Sequence, residues 1–263
     1  MDRDQSKVLT RKCSFRLDLT LGTQRMLNEM IHCTPDPAPR FRFQKTIVAI
    51  LLLIAAGGLI ALSFSADERV QQLVIAANQG HWSHDPAVAA SSKYGDWPEL
   101  MLLGGVGFWV ARRLRNIRWQ HILLSAMIAS TLAGMAVNLS RLTTGRTRPR
   151  AAAEQGWYGP RHDGKWLIGQ TDFNSFPSGH TATAVGFAGV ILFAAPAWGV
   201  PAMIVALTVA VSRILLGAHH PSDVMTATVV ALAVAWAVWE FLGKEGKGKL
   251  AQRRKDAEET KKD

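Results

Sequence analysis

The feature that most limits what this chain can become is a run of 19 residues, Thr46 to Phe64, without a single charged side chain. A bilayer core about 30 Å thick takes roughly 20 helical residues at about 1.5 Å each, so the run is long enough to span. Five more apolar stretches follow, Leu100 to Ala111, His121 to Leu139, Thr181 to Trp198, Val200 to Ala218 and Val224 to Leu242. The first of these is short and closes on Arg112 and Arg113, whose long side chains can reach the interface. Helices of a soluble bundle would carry a polar stripe, which these runs mostly lack. The sequence therefore predicts an all-α, polytopic membrane protein with six transmembrane helices in a bundle. About 45 residues of polar chain precede the first run, which argues against a cleaved signal peptide.

Whole-chain averages conceal this segregation. A mean hydropathy of +0.08 and a net charge of +10 resemble a basic soluble protein, yet the charges lie between the apolar runs. Of the 30 Lys and Arg residues, nine lie in 1–45, four in 112–118 and eight in 243–263, segments that six crossings leave on one side. That excess marks the side as cytoplasmic, with both termini inside. Three parts follow: a cytoplasmic tail over 1–45, a membrane domain over 46–242, and a charged tail over 243–263 expected to stay unfolded or to lie near anionic lipid. Basic residues divided across a bilayer disfavour nucleic acid as a partner and leave membrane lipids. Cys13 and Cys33 are expected as unpaired thiols on the reducing side, and no Cys/His spacing resembles a zinc site. Val70, Leu73, Val74 and Ala77 keep helical spacing, which fits a helix lying on the membrane surface or a packing element.

One segment breaks the charge rule. Residues 141–180 are expected outside, yet they carry Arg141, Arg146, Arg148, Arg150, Arg161 and Lys165. Two crossings separate this loop from the 212–223 turn, so polar residues of both meet on the outer face. Arg141 and Arg148 are seven apart and face alike if the third helix runs on, with Pro149 ending it. Guanidinium forks match phosphate geometry. Pro177-Ser178-Gly179 precedes an apolar helix, whose free N–H groups and positive dipole end make an anion cradle, Gly179 permitting close backbone approach. Arg213 lies inside an apolar run, where a charge costs roughly 2.5–3.5 kcal/mol at mid-membrane. His219 and Asp223 are four apart, on one face at the start of the last helix, where the carboxylate can fix the imidazole tautomer. His180 is then free to act as an acid. Arg146 and Arg150 are expected as solvated or headgroup contacts, and His220 as a bystander or as support for the groups that touch phosphate. Two histidines within a cage of arginines describe phosphoryl transfer through a covalent histidine, without metal or cofactor.

Arg141 with six residues before Arg148-Pro149, then Pro177-Ser178-Gly179-His180, then Ser212-Arg213 with five residues before His219 and three more before Asp223, resembles the three-part signature of the type 2 phosphatidic acid phosphatase superfamily. The likeness extends from about 46 to 242, and Arg141 stands where the first motif often opens with lysine. The resemblance implies His219 as nucleophile, Asp223 orienting it, and His180 protonating the leaving group and then activating water. Arg141, Arg148, Ser178, Gly179 and Arg213 hold the phosphoryl oxygens. It implies a phosphatase of the bacterial inner membrane, active at the outer face on a lipid phosphate or pyrophosphate. Undecaprenyl pyrophosphate is the leading candidate, with phosphatidylglycerophosphate, phosphatidic acid and lipid A phosphates as alternatives. Two rival readings are phosphotransfer to another lipid, and a non-catalytic transporter or scaffold that binds anionic lipids. The scaffold needs charge but no His219 and Asp223 pair.

Overall fold

Helix α1, Pro39–Ala77, opens a computed structural model that describes residues 39–259, with side chains over 47–48 and 50–243. The chain divides into two compact units, Met1–Leu52 and Leu53–Asp263. Of the first only the start of α1 is described, and the rest of the tail, with Cys13 and Cys33, lies outside the described residues. The second unit holds the remainder of α1 and every other element.

Breakers and caps set the helix ends. No Gly or Pro interrupts the chain between Phe64 and Ala77, so α1 runs on through the segment read as a surface helix and stops before Gly80, at φ 88°. Helices α2, Pro86–Tyr94, and α3, Trp97–Arg113, each start on an aspartate cap with proline in the first turn. Asp85 accepts from the Ala87 N–H at 2.7 Å, and Asp96 from that of Trp97 at 2.8 Å. Helix α4, Ile117–Thr144, ends at Gly145, φ 55°, where a Cβ would fall 2.0 Å from the Gly159 carbonyl oxygen. Helix α5, Gly179–Ala194, stops four residues short of the expected Trp198. Pro196 has no N–H and disfavours helix at Ala195, which sits at φ −149°, ψ 77°. The same proline opens α6, Pro196–Leu215, and α7 spans Pro221–Glu259. The charged segment from 243 to 259, expected to be unfolded, continues α7. Its Lys, Arg, Glu, Gln and Ala are good helix formers added to a helix already nucleated.

Among the described residues, four helices are long and apolar enough to cross a membrane: Ile50–Ala77, Ile117–Thr144, Pro196–Leu215 and Pro221–Gly243. The other two expected spans are helical too, as α3 of 17 residues and α5 of 16. The protein is thus helical and membrane-embedded. Between α4 and α5 a long loop carries a small antiparallel hairpin, β1 (Arg161–His162) and β2 (Lys165–Trp166), with Arg161 opposite Trp166.

Helix α5 packs on α4, α6 and α7, and its residues 181–191 are buried in succession. The contacts are made by small residues at helical spacing: Ala126, Ala129 and Ala133 of α4, Ala182 of α5, and Ala227, Ala231 and Ala235 of α7. A Cβ on Gly186 would lie 3.1 Å from the Ala129 carbonyl oxygen, and one on Gly189 2.9 Å from the Ala235 Cβ. Lipid offers no hydrophobic drive between helices, so close backbone approach through small residues holds them together. Gly186→Leu is therefore expected to cost about 1–3 kcal/mol or more by overpacking. It should appear as a lower thermal midpoint in detergent, with Gly186→Ala milder.

Candidate active site

Four helix ends and two loops deliver the polar residues to one place. Arg141 stands on the last turn of α4. Gly145 ends that helix, so Arg148 lies in the loop rather than on the same helical face as expected. The two guanidinium groups are nonetheless electrostatic neighbours, and Arg213 at the end of α6 is close to both. Arg141 Nε donates to the Pro177 carbonyl at 2.8 Å and Nη1 to Asn138 Oδ1 at 3.2 Å. Arg213 Nη1 donates to Ser92 Oγ. Each arginine keeps a buried donor without a partner: Arg141 Nη2, Arg148 Nε and Arg213 Nε. Buried donors are almost always satisfied, so three orphans on neighbouring arginines leave hydrogen-bonding capacity that the surrounding side chains do not meet. Burial, with Arg150 beside it, lowers the Arg148 pKa, which shows how little water shields it.

Ser178 occupies the N-cap of α5 but makes no capping bond through its side chain; its buried hydroxyl accepts from Thr181 Oγ1 at 2.9 Å. The first N–H groups of α5 are therefore not capped by a side chain. A Cβ on Gly179 would stand 3.0 Å from Arg141 Nη2, so glycine lets this guanidinium lie over the start of the helix. His180, next along, has Nε2 3.5 Å from Asp96 Oδ2.

His219 sits in the turn before α7, fully buried. Its Nδ1 donates to the Ser175 carbonyl at 2.7 Å and is 3.6 Å from Asp223 Oδ2. The tautomer is thus set by a main-chain carbonyl, where the sequence spacing assigned it to Asp223. Asp223 accepts instead from Ser175 Oγ at 2.5 Å, the His220 N–H at 2.8 Å and Arg146 Nη1 at 2.5 Å. His220 takes the supporting role of its two readings: it is buried and supplies that N–H, while its Nε2 donates to the Thr147 carbonyl at 3.2 Å.

Arg146 departs most from its reading as a solvated group. It is buried, pairs with Asp223 and with Asp67 of α1, and bonds Ser222 Oγ at 2.7 Å. Asp67 and Ser175 were not anticipated. An acid inside a helix that continues without a breaker was a signal for Asp67, whereas nothing local marks Ser175.

Residues 121–247 match the family model of the PAP2 superfamily, a stretch that holds every residue of the site except Asp67, Ser92 and Asp96. The lipid A 1-phosphatase of Rhizobium johnstonii is 31% identical over 35% of this chain and 36% of its own length. That of Porphyromonas gingivalis is 28% identical over 84% of this chain and 46% of its own. The undecaprenyl-diphosphatase BcrC of Bacillus subtilis is 31% identical over 46% of this chain and 58% of its own. The chain thus spans less than two thirds of the length of each of these relatives. The likeness to the PAP2 superfamily thus covers 127 of the 263 residues.

Burial pushes the His219 imidazole down to about 3, with Arg141 and Arg213 acting in the same sense and Asp223 opposing them. Burial lowers His220 as well. The unfolded chain protonates these rings near pH 6.5, whereas folded His219 stays neutral to about 3. Between those values the unfolded state binds more protons, so stability falls as the pH drops, by about 1.4 kcal/mol per pH unit per proton. The expected outcome is a thermal midpoint that declines from pH 7 to pH 5, with a shallower slope in His219→Gln.

Proposed function

We propose that the protein is a membrane-bound phosphatase that removes phosphate from a lipid phosphate or pyrophosphate through a phosphohistidine on His219. The observation that carries this reading is the bond from His219 Nδ1 to the Ser175 carbonyl. A carbonyl only accepts, so the proton is on Nδ1 and the lone pair on Nε2. Burial keeps the ring neutral, and hence nucleophilic, at neutral pH.

In this reaction Nε2 attacks phosphorus, and the P–N bond forms as the P–O bond to the leaving group breaks. His180 gives a proton to the departing oxygen, and Asp223 stabilises the cationic ring. Water, losing a proton to His180, then attacks the phosphohistidine, which releases inorganic phosphate and restores neutral His219. The unpartnered donors of Arg141, Arg148 and Arg213 hold the non-bridging oxygens, with Ser178 and the Gly179 N–H. The arginines supply the positive charge, so the scheme calls for no metal.

The charge distribution supports six crossings, with α3 and α5 the short ones, both termini cytoplasmic and the site at the outer face of a bacterial inner membrane. A site at that boundary suits a substrate whose tails stay in lipid. Relatives named for lipid A and undecaprenyl diphosphate support a lipid-linked phosphate. Undecaprenyl pyrophosphate leads, followed by lipid A, phosphatidylglycerophosphate and phosphatidic acid.

Phosphate release from these four lipids by the purified protein tests the proposal. One of them should be turned over, and His219→Ala should lower that rate by about a thousandfold or more, as loss of a covalent nucleophile does. Wild-type turnover by folded His219→Ala would overturn the mechanism. A scaffold would bind lipid and release no phosphate.

A further inference from the structure

Arg146 carries a charge that the phosphate cage does not use. Its guanidinium lies over the rings of Trp157, Phe64 and Phe176, at 4.7, 5.3 and 6.0 Å from their centroids, and only 8% of the side chain is exposed. Two carboxylates compensate it. Nη2 donates to Asp67 Oδ2 at 2.6 Å and Nη1 to Asp223 Oδ1 at 2.5 Å. Asp67 also accepts from the Ser222 N–H at 2.9 Å and from Ser222 Oγ at 2.6 Å, so one side chain of α1 grips the first turn of α7 beside Asp223.

This division of Arg146 has a chemical result. With Nη2 committed to Asp67, the arginine meets Asp223 through one nitrogen and one oxygen. The other oxygen, Oδ2, is left facing Ser175 Oγ, the His220 N–H and, at 3.6 Å, His219 Nδ1. Freed from Asp67, the guanidinium could close on both oxygens of Asp223, the geometry that arginine favours with a carboxylate. Asp223 would then be neutralised by Arg146 and turned from His219. Two carboxylates and one arginine also leave one negative charge over, which matches the positive charge on His219 when its ring is phosphorylated.

The geometry points to Asp67 as a positioning residue that, through Arg146 and Ser222, holds Asp223 toward His219. It lies on α1, outside the segment that matches the family. The inference rests on the phosphohistidine reading, and its role is exerted when the ring becomes cationic. It therefore acts on turnover rather than on substrate binding.

The test uses the full-length protein in detergent and whichever of the four lipids it turns over fastest. Asp67→Asn keeps the shape and removes the charge. It is expected to lower kcat about tenfold or more per folded molecule and to leave KM within about twofold. Asp67→Glu should recover part of the loss. Arg146→Lys keeps the charge but cannot serve two carboxylates in the same plane, and it should show the same kcat loss; it decides the matter if Asp67→Asn does not fold. A folded Asp67→Asn, or failing that a folded Arg146→Lys, with kcat within twofold of wild type overturns the positioning role. If His219→Ala is inactive in the same assay, the phosphohistidine reading survives that result; if His219→Ala is active, the reading itself has failed.

Discussion

A guanidinium walled in by aromatic rings persists only where carboxylates share its burial, because the desolvation of an unpaired charge costs several kcal/mol. Arg146 meets this condition with Asp67 and Asp223, which come from helices 156 residues apart. The requirement draws α1, the loop after α4 and the start of α7 to a single point. Gly145 makes it possible by ending α4 one residue earlier, in a conformation that glycine adopts without strain. The main chain around Asp223 is then ordered as well, since Ser222 and His220 both give N–H groups to the cluster.

The remaining half of the site is fixed by close packing. Helix α5 is surrounded by α4, α6 and α7, and alanine and glycine let the backbones approach. Its first turn, where Ser178 and Gly179 stand, is held where Arg141 from α4 and Arg213 from α6 both arrive. The proposed chemistry thus joins a cationic cage anchored by small-residue contacts to a nucleophile anchored by buried ion pairs.

Much of this was legible in the sequence, for a physical reason. A span in lipid has to be apolar along its length, so the four long helices, and the shorter α3 and α5, announce themselves by composition. Their ends follow from local rules at Pro196 and Gly145, and reading the chain without weight on those two residues puts Trp198 in α5 and Arg148 on α4. The residues of the proposed cage could be named because their types and spacings suit phosphate. The support of the proposed nucleophile could not. His219 is bound by a carbonyl 44 residues away, Arg146 by groups 76 to 79 residues away, and Ser222 by Asp67 at a separation of 155. An isolated arginine near an interface looks the same whether water or two acids will surround it. Only the tertiary path of the chain distinguishes the two.

The aromatic cover over Arg146 also bears on the medium in which the protein works. Mobile ions weaken interactions between charges they can surround, over about 8 Å at physiological ionic strength. Phe64, Trp157 and Phe176 cover one side of the arginine and only 8% of its side chain is exposed, so its bonds to the two acids are screened less than those of surface ions. The proposed phosphate cage has to take its anion from the surrounding solution. Changes of ionic strength at the membrane surface would thus be felt in capture of the headgroup, while the step that follows keeps its own electrostatics.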